Sequence, residues 1–185
     1  SLNELKKHIK EQNDDFAISI TFDDGYLDNI NLALPILEKH NIPATIFVIT
    51  RFLKNDDFMW WYFLWENLNN QKFIIINSQK IYLRNEMDIV NWYGVISKEV
   101  INLNYKAQKN YLDKVFGNQL NFDYKDLIFD FNQLVDLSKN NLIEIGSHTL
   151  THPKLTSLSD AEIYNELSVS KKIIEEKIKK KVNFL

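Results

Sequence analysis

Apolar residues along this chain fall either in short unbroken runs or at helical intervals, and the two patterns alternate. Phe16 to Phe22 (FAISITF) is a short, β-branched apolar run that predicts a buried strand. It stops at Asp23-Asp24-Gly25, where the chain must turn. From Leu27 to His40 the apolar positions Ile30, Ala33, Leu34 and Leu37 have helical spacing. Pro35 inside that pattern predicts a kink or a late helix start, because proline lacks the amide proton a helix interior uses. Asn41-Ile42-Pro43 breaks the pattern, and Ala44 to Ile49 (ATIFVI) predicts a second buried strand. Strand, helix and strand in this order form a βαβ unit, which implies parallel pairing and a right-handed crossover.

The middle of the chain, Arg51 to Leu127, has a different character. It holds all four tryptophans, Trp60, Trp61, Trp65 and Trp92, among many Asn, Lys and Tyr residues. Met59 to Leu68 (MWWYFLWENL) predicts a helix packed on a core. Lys72 to Ile76 and Lys80 to Leu83 have the lengths of a small hairpin, and the remainder reads as helix with one polar face. The region is expected to be an insertion, residues 51–127, between the second and third core strands of a single domain. Aromatic faces suit sugar rings, but adjacent Trp-Trp-Tyr residues bury large area wherever they sit, and core packing accounts for them.

The α/β rhythm resumes at Phe131 to Lys139 (FNQLVDLSK), a predicted helix. Leu142 to Ile145 (LIEI) predicts a third strand, ended by Gly146. Ser159 and Glu162 have the spacing of a capping box, opening a helix that runs to about Lys180. Val182 to Leu185 (VNFL) predicts a fourth strand. The opening segment, Ser1 to Asp15, reads as a polar helix or ordered arm.

Composition narrows the classes. With 185 residues and 45% hydrophobic content, the chain suits one globular domain with a sizeable core. A net charge of -3 gives no electrostatic case for a nucleic-acid partner. The basic run Lys177 to Lys181 closes a helix, where cations offset the helix dipole. There is no cysteine, so any metal must be held by histidine and carboxylate. No apolar run reaches the roughly 20 residues that span a bilayer. The polar N-terminus has no apolar signal core, and it begins at Ser rather than Met. The chain reads as soluble, with the compartment open between cytoplasm and cell envelope and the oligomeric state open.

Two strand ends carry candidate chemistry. Asp23 and Asp24 follow the first strand, at the edge where parallel α/β folds collect their catalytic groups. Neighbouring residues diverge in direction, so one carboxylate can bind a metal while the other faces substrate. His148 and His152 follow the third strand, four residues apart. On a helical turn that spacing places both rings on one face, with Thr149 or Thr151 able to hold a ring. Two imidazoles and a carboxylate suit zinc or another divalent transition metal, leaving positions for water and substrate. Metal to polarise a carbonyl and a free aspartate to take a proton from water make a metal-assisted hydrolase. His8 and His40 lie in polar stretches and read as surface residues.

The same residues carry a resemblance. Ser19-Ile20-Thr21-Phe22-Asp23-Asp24-Gly25 resembles the first signature of the polysaccharide deacetylases, the carbohydrate esterase group with the NodB-type domain. Glu144 to His152 (EIGSHTLTH) resembles the second. The resemblance implies an α/β fold of the deformed (β/α) barrel type and removal of acetyl groups from N- or O-acetylated sugars. It implies Asp23 as general base, Asp24, His148 and His152 as metal ligands, and Thr149 as support of the metal loop. Zinc is the expected ion, with cobalt or another divalent metal as alternatives. An acetylated oligo- or polysaccharide, such as a cell-envelope polymer, is the expected substrate. The family's later signatures, which supply an arginine and a general-acid histidine, are not visible, so the barrel reads as incomplete at its C-terminal side. A sugar-binding module on the same fold, without catalysis, is the alternative from another class. A phosphatase using the aspartate pair fits less well, because such enzymes space their acids by one residue. A 2-His-1-carboxylate iron oxygenase has the right ligands but usually a β-rich barrel.

Overall fold

The computed structural model describes residues 1–11, 16–54, 58–117 and 126–185. The chain divides into two compact units. One comprises Ser1–Asn55, Asp123–His152 and Tyr164–Leu185, the other Asp56–Phe122 and Pro153–Ile163. Part of the expected N-terminal arm (12–15) and of the expected insertion (55–57 and 118–125) lies outside the described residues.

In chain order the elements are α1 (Leu2–Lys10), β1 (Ile20–Phe22), α2 (Leu34–His40), β2 (Ala44–Val48), α3 (Trp60–Asn70), β3 (Phe73–Ile76) and β4 (Gln79–Tyr82). They continue with α4 (Glu86–Val100), α5 (Tyr105–Phe116), α6 (Phe131–Leu137), β5 (Ile143–Ser147) and α7 (Asp160–Ile178).

The first unit is built on a parallel sheet in the order β1-β2-β5. Ile20 pairs with Ala44, and Ala44 with Ile143, so the three strands start level. The central strand β2 buries Ala44, Thr45, Ile46 and Val48, as an apolar run covered on both faces should. Ile143 and Ile145 of β5, Leu134 and Leu137 of α6, and Ile174 and Ile178 of α7 are also buried. At the start of the sheet, Glu144 accepts hydrogen bonds from Asn3 of α1 and from the buried Thr45 hydroxyl. The fold is the α/β type that the sequence predicts, and among the described residues the sheet is open rather than closed.

Several expected boundaries shift for local reasons. The first strand is shorter than Phe16 to Phe22. Because β2 begins at Ala44, opposite Ile20, residues 16–19 have no strand to pair with, and Phe16 (90%) and Ile18 (76%) are exposed. The Leu27 to His40 pattern splits into a π-helical turn, Asn29–Ala33, and α2, which carries Pro35 in its first turn. That is the late start, at a position where a missing amide proton costs nothing. The third strand does not end at Gly146 but runs through Ser147. Val182 to Leu185 is not a strand. Ser147 N–H donates to Phe184 O at 3.0 Å, but Val182 N–H turns instead to Glu175 Oε1 at 2.9 Å.

The second unit has its own core. Phe63, Leu64 and Leu68 of α3 pack with Ile74 of β3, Ile96 and Val100 of α4, and Leu112, Val115 and Phe116 of α5. The expected hairpin is present, with Phe73 opposite Tyr82 and Ile76 opposite Gln79. The tryptophans do not fill the centre of this core. Trp60 and Trp92 pack against it half-buried, and Trp65 is 41% exposed. The interior goes to the slimmer Phe and Leu side chains of α3.

Candidate metal centre

Because β1 and β5 flank β2 in parallel, the turns that follow them emerge at one edge of the sheet. Two strand spacings separate those ends by roughly 10 Å, a gap that one carboxylate and two imidazoles can bridge over the end of β2. Asp23 stands exposed at the end of β1, and Asp24 turns inward, half-buried. Gly25 N–H donates to Asp23 O at 2.9 Å, which tightens the turn. The chain then pairs back on itself: Leu27 N–H donates to Leu127 O at 2.7 Å and Phe129 N–H to Gly25 O at 3.2 Å. On the other side, His148 N–H donates to Val48 O at 2.9 Å, which sets the start of its loop against β2.

The structure brings Asp24, His148 and His152 together. Their candidate ligand atoms all lie within 4.8 Å of one another. His148 Nε2 is 3.5 Å and His152 Nε2 3.6 Å from Asp24 Oδ1, with the two rings 5.0 Å apart between centroids. Ligand atoms around a tetrahedral zinc, with bonds of ~2.0–2.2 Å, sit about 3.4 Å apart, so the two Nε2–Oδ1 separations match that donor set. Asp24 Oδ1 is buried and makes no hydrogen bond. A buried carboxylate oxygen without a donor is costly, and a cation is the partner that relieves it. The residues therefore fit a divalent ion.

The histidines do not converge as a helical turn. Thr149 has φ 70° and His152 φ 59°, and Asp24 across from them has φ 69°. Left-handed backbone costs a non-glycine residue on the order of 1–2 kcal/mol, more for β-branched threonine, so each must be held by its surroundings. Thr149 is held at both ends: its Oγ1 accepts His152 N–H at 2.9 Å, and its O accepts Ser170 Oγ–H at 2.8 Å and Thr50 N–H at 3.3 Å. Arg51 N–H donates to Leu150 O at 3.0 Å. The Thr151 hydroxyl points away from the rings and donates to Glu166 at 2.7 Å. Burial pushes the His152 imidazole below its ordinary pKa, the nearby His148 adds to this, and the Asp24 carboxylate opposes it. A neutral imidazole is the form that ligates a metal.

A polysaccharide deacetylase family model matches residues 10–185. The chain belongs to the polysaccharide deacetylase family. Among solved structures, the Streptococcus pyogenes deacetylase PplD, in complex with acetate, is 17% identical with a TM-score of 0.52. The match covers 98% of this chain and 51% of PplD, so the chain spans about half the length of that protein. A de-N-acetylase from Aggregatibacter actinomycetemcomitans is 16% identical with a TM-score of 0.48, over 98% of this chain and 59% of that one. No curated protein matches the sequence significantly. For a polysaccharide deacetylase, the open parallel sheet with both signature loops at one edge is the NodB-type arrangement.

Sequence reasoning missed the residues behind the loop: Glu166 and Ser170 on α7, and Thr50 after β2. A signal was present. The buried stripe of α7 is Glu166, Ser170, Ile174 and Ile178, spaced by four, so two polar residues lie on a core-facing row. Polar residues on such a row need buried partners, and the histidine loop supplies them.

Proposed function

We propose that this chain carries the site of a metal-dependent hydrolase that removes acetyl groups from an acetylated sugar or polysaccharide. The observation that carries the reading is the buried, unpartnered Asp24 Oδ1 facing two imidazole nitrogens at 3.5 and 3.6 Å. Membership of the polysaccharide deacetylase family supports the reaction class. In this reading Asp24, His148 and His152 hold the ion, zinc by the nature of the donors and cobalt as an alternative. Such an ion supplies Lewis acidity toward the acetyl carbonyl and makes water more acidic.

Asp23 is the general base. It lies one residue from the ligand carboxylate yet is exposed, so it can face substrate while Asp24 faces inward. Its carboxylate takes the proton from the water that adds to the acetyl carbon. The carbon–nitrogen or carbon–oxygen bond then breaks as the proton taken up by Asp23 returns to the leaving nitrogen or oxygen, releasing acetate and the sugar amine or hydroxyl. Thr149 supports the site through the backbone of His152 rather than through an imidazole. The segment 51–127 is an insertion in this single deacetylase domain, a reading supported by the separate core of Asp56–Phe122.

The test is metal analysis of the purified protein and of Asp23→Asn, Asp24→Asn and His152→Ala variants, beside acetate release from acetylated chitooligosaccharides. The expected result is about one metal per chain, lost in Asp24→Asn and His152→Ala but kept in Asp23→Asn, with acetate release absent from all three. Metal retained by Asp24→Asn and His152→Ala would overturn the ligand assignment.

A further inference from the structure

The two histidines are separated by three residues, the first of them, Thr149, in left-handed backbone, and α7 touches every one of the three. Glu166 Oε2 accepts Leu150 N–H at 2.9 Å and Thr151 N–H at 2.8 Å, and Oε1 accepts the Thr151 hydroxyl at 2.7 Å. Glu166 and Thr151 are both buried. Four residues on, and so on the same face of the helix, Ser170 donates to Thr149 O at 2.8 Å. The Ser147 hydroxyl lies 2.6 Å from Ser170 Oγ, and the Thr50 hydroxyl is also bonded to it. A serine hydroxyl has one proton and two lone pairs. With its proton on Thr149 O, Ser170 accepts from both other hydroxyls and is saturated.

A buried carboxylate is a costly way to satisfy two amides, since loop amides reach water readily at a surface. What it achieves here is direction. Leu150 and Thr151 are consecutive donors on one oxygen, which fixes the peptide planes between His148 and His152. Those planes, with the left-handed φ values of Thr149 and His152, set where both Cα–Cβ bonds point.

We propose that Glu166 is a positioning residue of the deacetylase site, acting through the Leu150 and Thr151 amides to aim His148 and His152 at Asp24. This rests on the reading of those three residues as metal ligands. The role is geometric. Glutamine in its place keeps one oxygen for both amides and turns its NH₂ toward the Thr151 hydroxyl, which can rotate to accept. Aspartate keeps the charge but is shorter by one carbon–carbon bond, about 1.5 Å, and falls short of the loop.

The experiment is Co²⁺ titration of the metal-free protein, read by visible absorption, with amide hydrogen exchange at Leu150 and Thr151 in the metal-free state. Glu166→Asp and Glu166→Ala are expected to bind Co²⁺ about 10–100-fold more weakly, with an altered absorption band, and to exchange those two amides faster. Glu166→Gln is expected to stay close to the parent in affinity, spectrum and exchange. Ile174→Ala, buried on the same helix two turns on, is the control for general destabilisation and leaves affinity and spectrum unchanged while folded. Thr151→Val stands in should the Glu166 variants fail to fold, and it weakens binding by removing one of the three bonds. A Glu166→Asp protein with parental affinity and exchange overturns the proposal, as does Ile174→Ala reproducing its spectrum. A parent that binds no Co²⁺ refutes the metal reading instead. The exchange comparison, made without metal, then still decides whether Glu166 orders the loop.

Discussion

Gly146 of β5 lies beside its register partner Phe47 of β2, and the Phe47 ring occupies the space where a Cβ on Gly146 would stand. That Cβ would fall 2.5 Å from Phe47 Cδ1 and 2.6 Å from Cε1. The glycine is required for room rather than for a left-handed conformation. The same ring stands 6.4 Å from the His148 ring between centroids, so the contact reaches the site. Gly146→Ala is therefore expected to cost about 1–3 kcal/mol, because Phe47 must leave its position. Urea denaturation measures this, and an unchanged midpoint would show that Phe47 moves aside freely.

Much of this was legible in the sequence because it depended on local pattern. Apolar runs marked β2 and β5, and the motif residues Asp23, Asp24, His148 and His152 stood directly after predicted strands. What was misread depended on neighbours. Gly146 looked like a strand end because a glycine's reason, here the Phe47 ring, lies on another strand. Phe16 and Ile18 looked buried because their composition is that of a strand, yet β2 starts too late to pair with them. Four-residue histidine spacing suggested a helical turn, while the loop reaches the same convergence through positive φ angles that no periodicity reveals. Glu166 was invisible as a site residue because its partners are loop amides, which every sequence has.

Asp24→Asn separates the fold from the metal. Asparagine tolerates left-handed backbone and has the same shape, so the turn at φ 69° survives. It also removes a charge whose buried oxygen has no donor. The metal-free variant is expected to be at least as stable as the metal-free parent while taking up no zinc. Calorimetry in the presence of chelator checks the first point and metal analysis the second. A clear loss of stability would mean that the carboxylate has a protein partner in solution.

Gly25 makes the opposite demand from Gly146. Its φ is +82°, and an added Cβ would also press on Phe129 Cζ and Val48 Cγ1, each at 3.3 Å. Gly25→Ala is expected to destabilise the protein by about 1–2 kcal/mol from backbone strain alone. Phe129 is fully buried and its N–H donates to Gly25 O, so it cannot retreat without breaking that bond. Asp23 and Asp24 should shift with the turn, and acetate release should fall further than thermal stability predicts. Proportionate losses of both would argue that the aspartates are held independently of Gly25.

The start of α7 should depend on pH. The Glu162 carboxylate accepts from the Ser159 amide at 2.9 Å and the Ser159 hydroxyl at 2.7 Å, and the Glu162 N–H donates to Ser159 Oγ at 3.4 Å, completing the capping box. The Ser159 backbone bond, and then its hydroxyl, hold the Glu162 carboxyl below the usual carboxylate range. A carboxyl lowered on folding adds stability that is fully present above its unfolded pKa and lost as pH falls through its folded one. The cap therefore strengthens α7 at neutral pH and weakens it in acid, below roughly pH 4.3, the ordinary glutamate value. Amide exchange in the first turn of α7, followed from pH 7 downward, should quicken relative to the middle of the helix across that range. Ser159→Ala keeps the amide donor and removes only the hydroxyl, so it should shrink the pH step and raise the Glu162 titration, followed by NMR, part of the way toward the ordinary glutamate range. A step that persists in Glu162→Gln would assign it to a different acid.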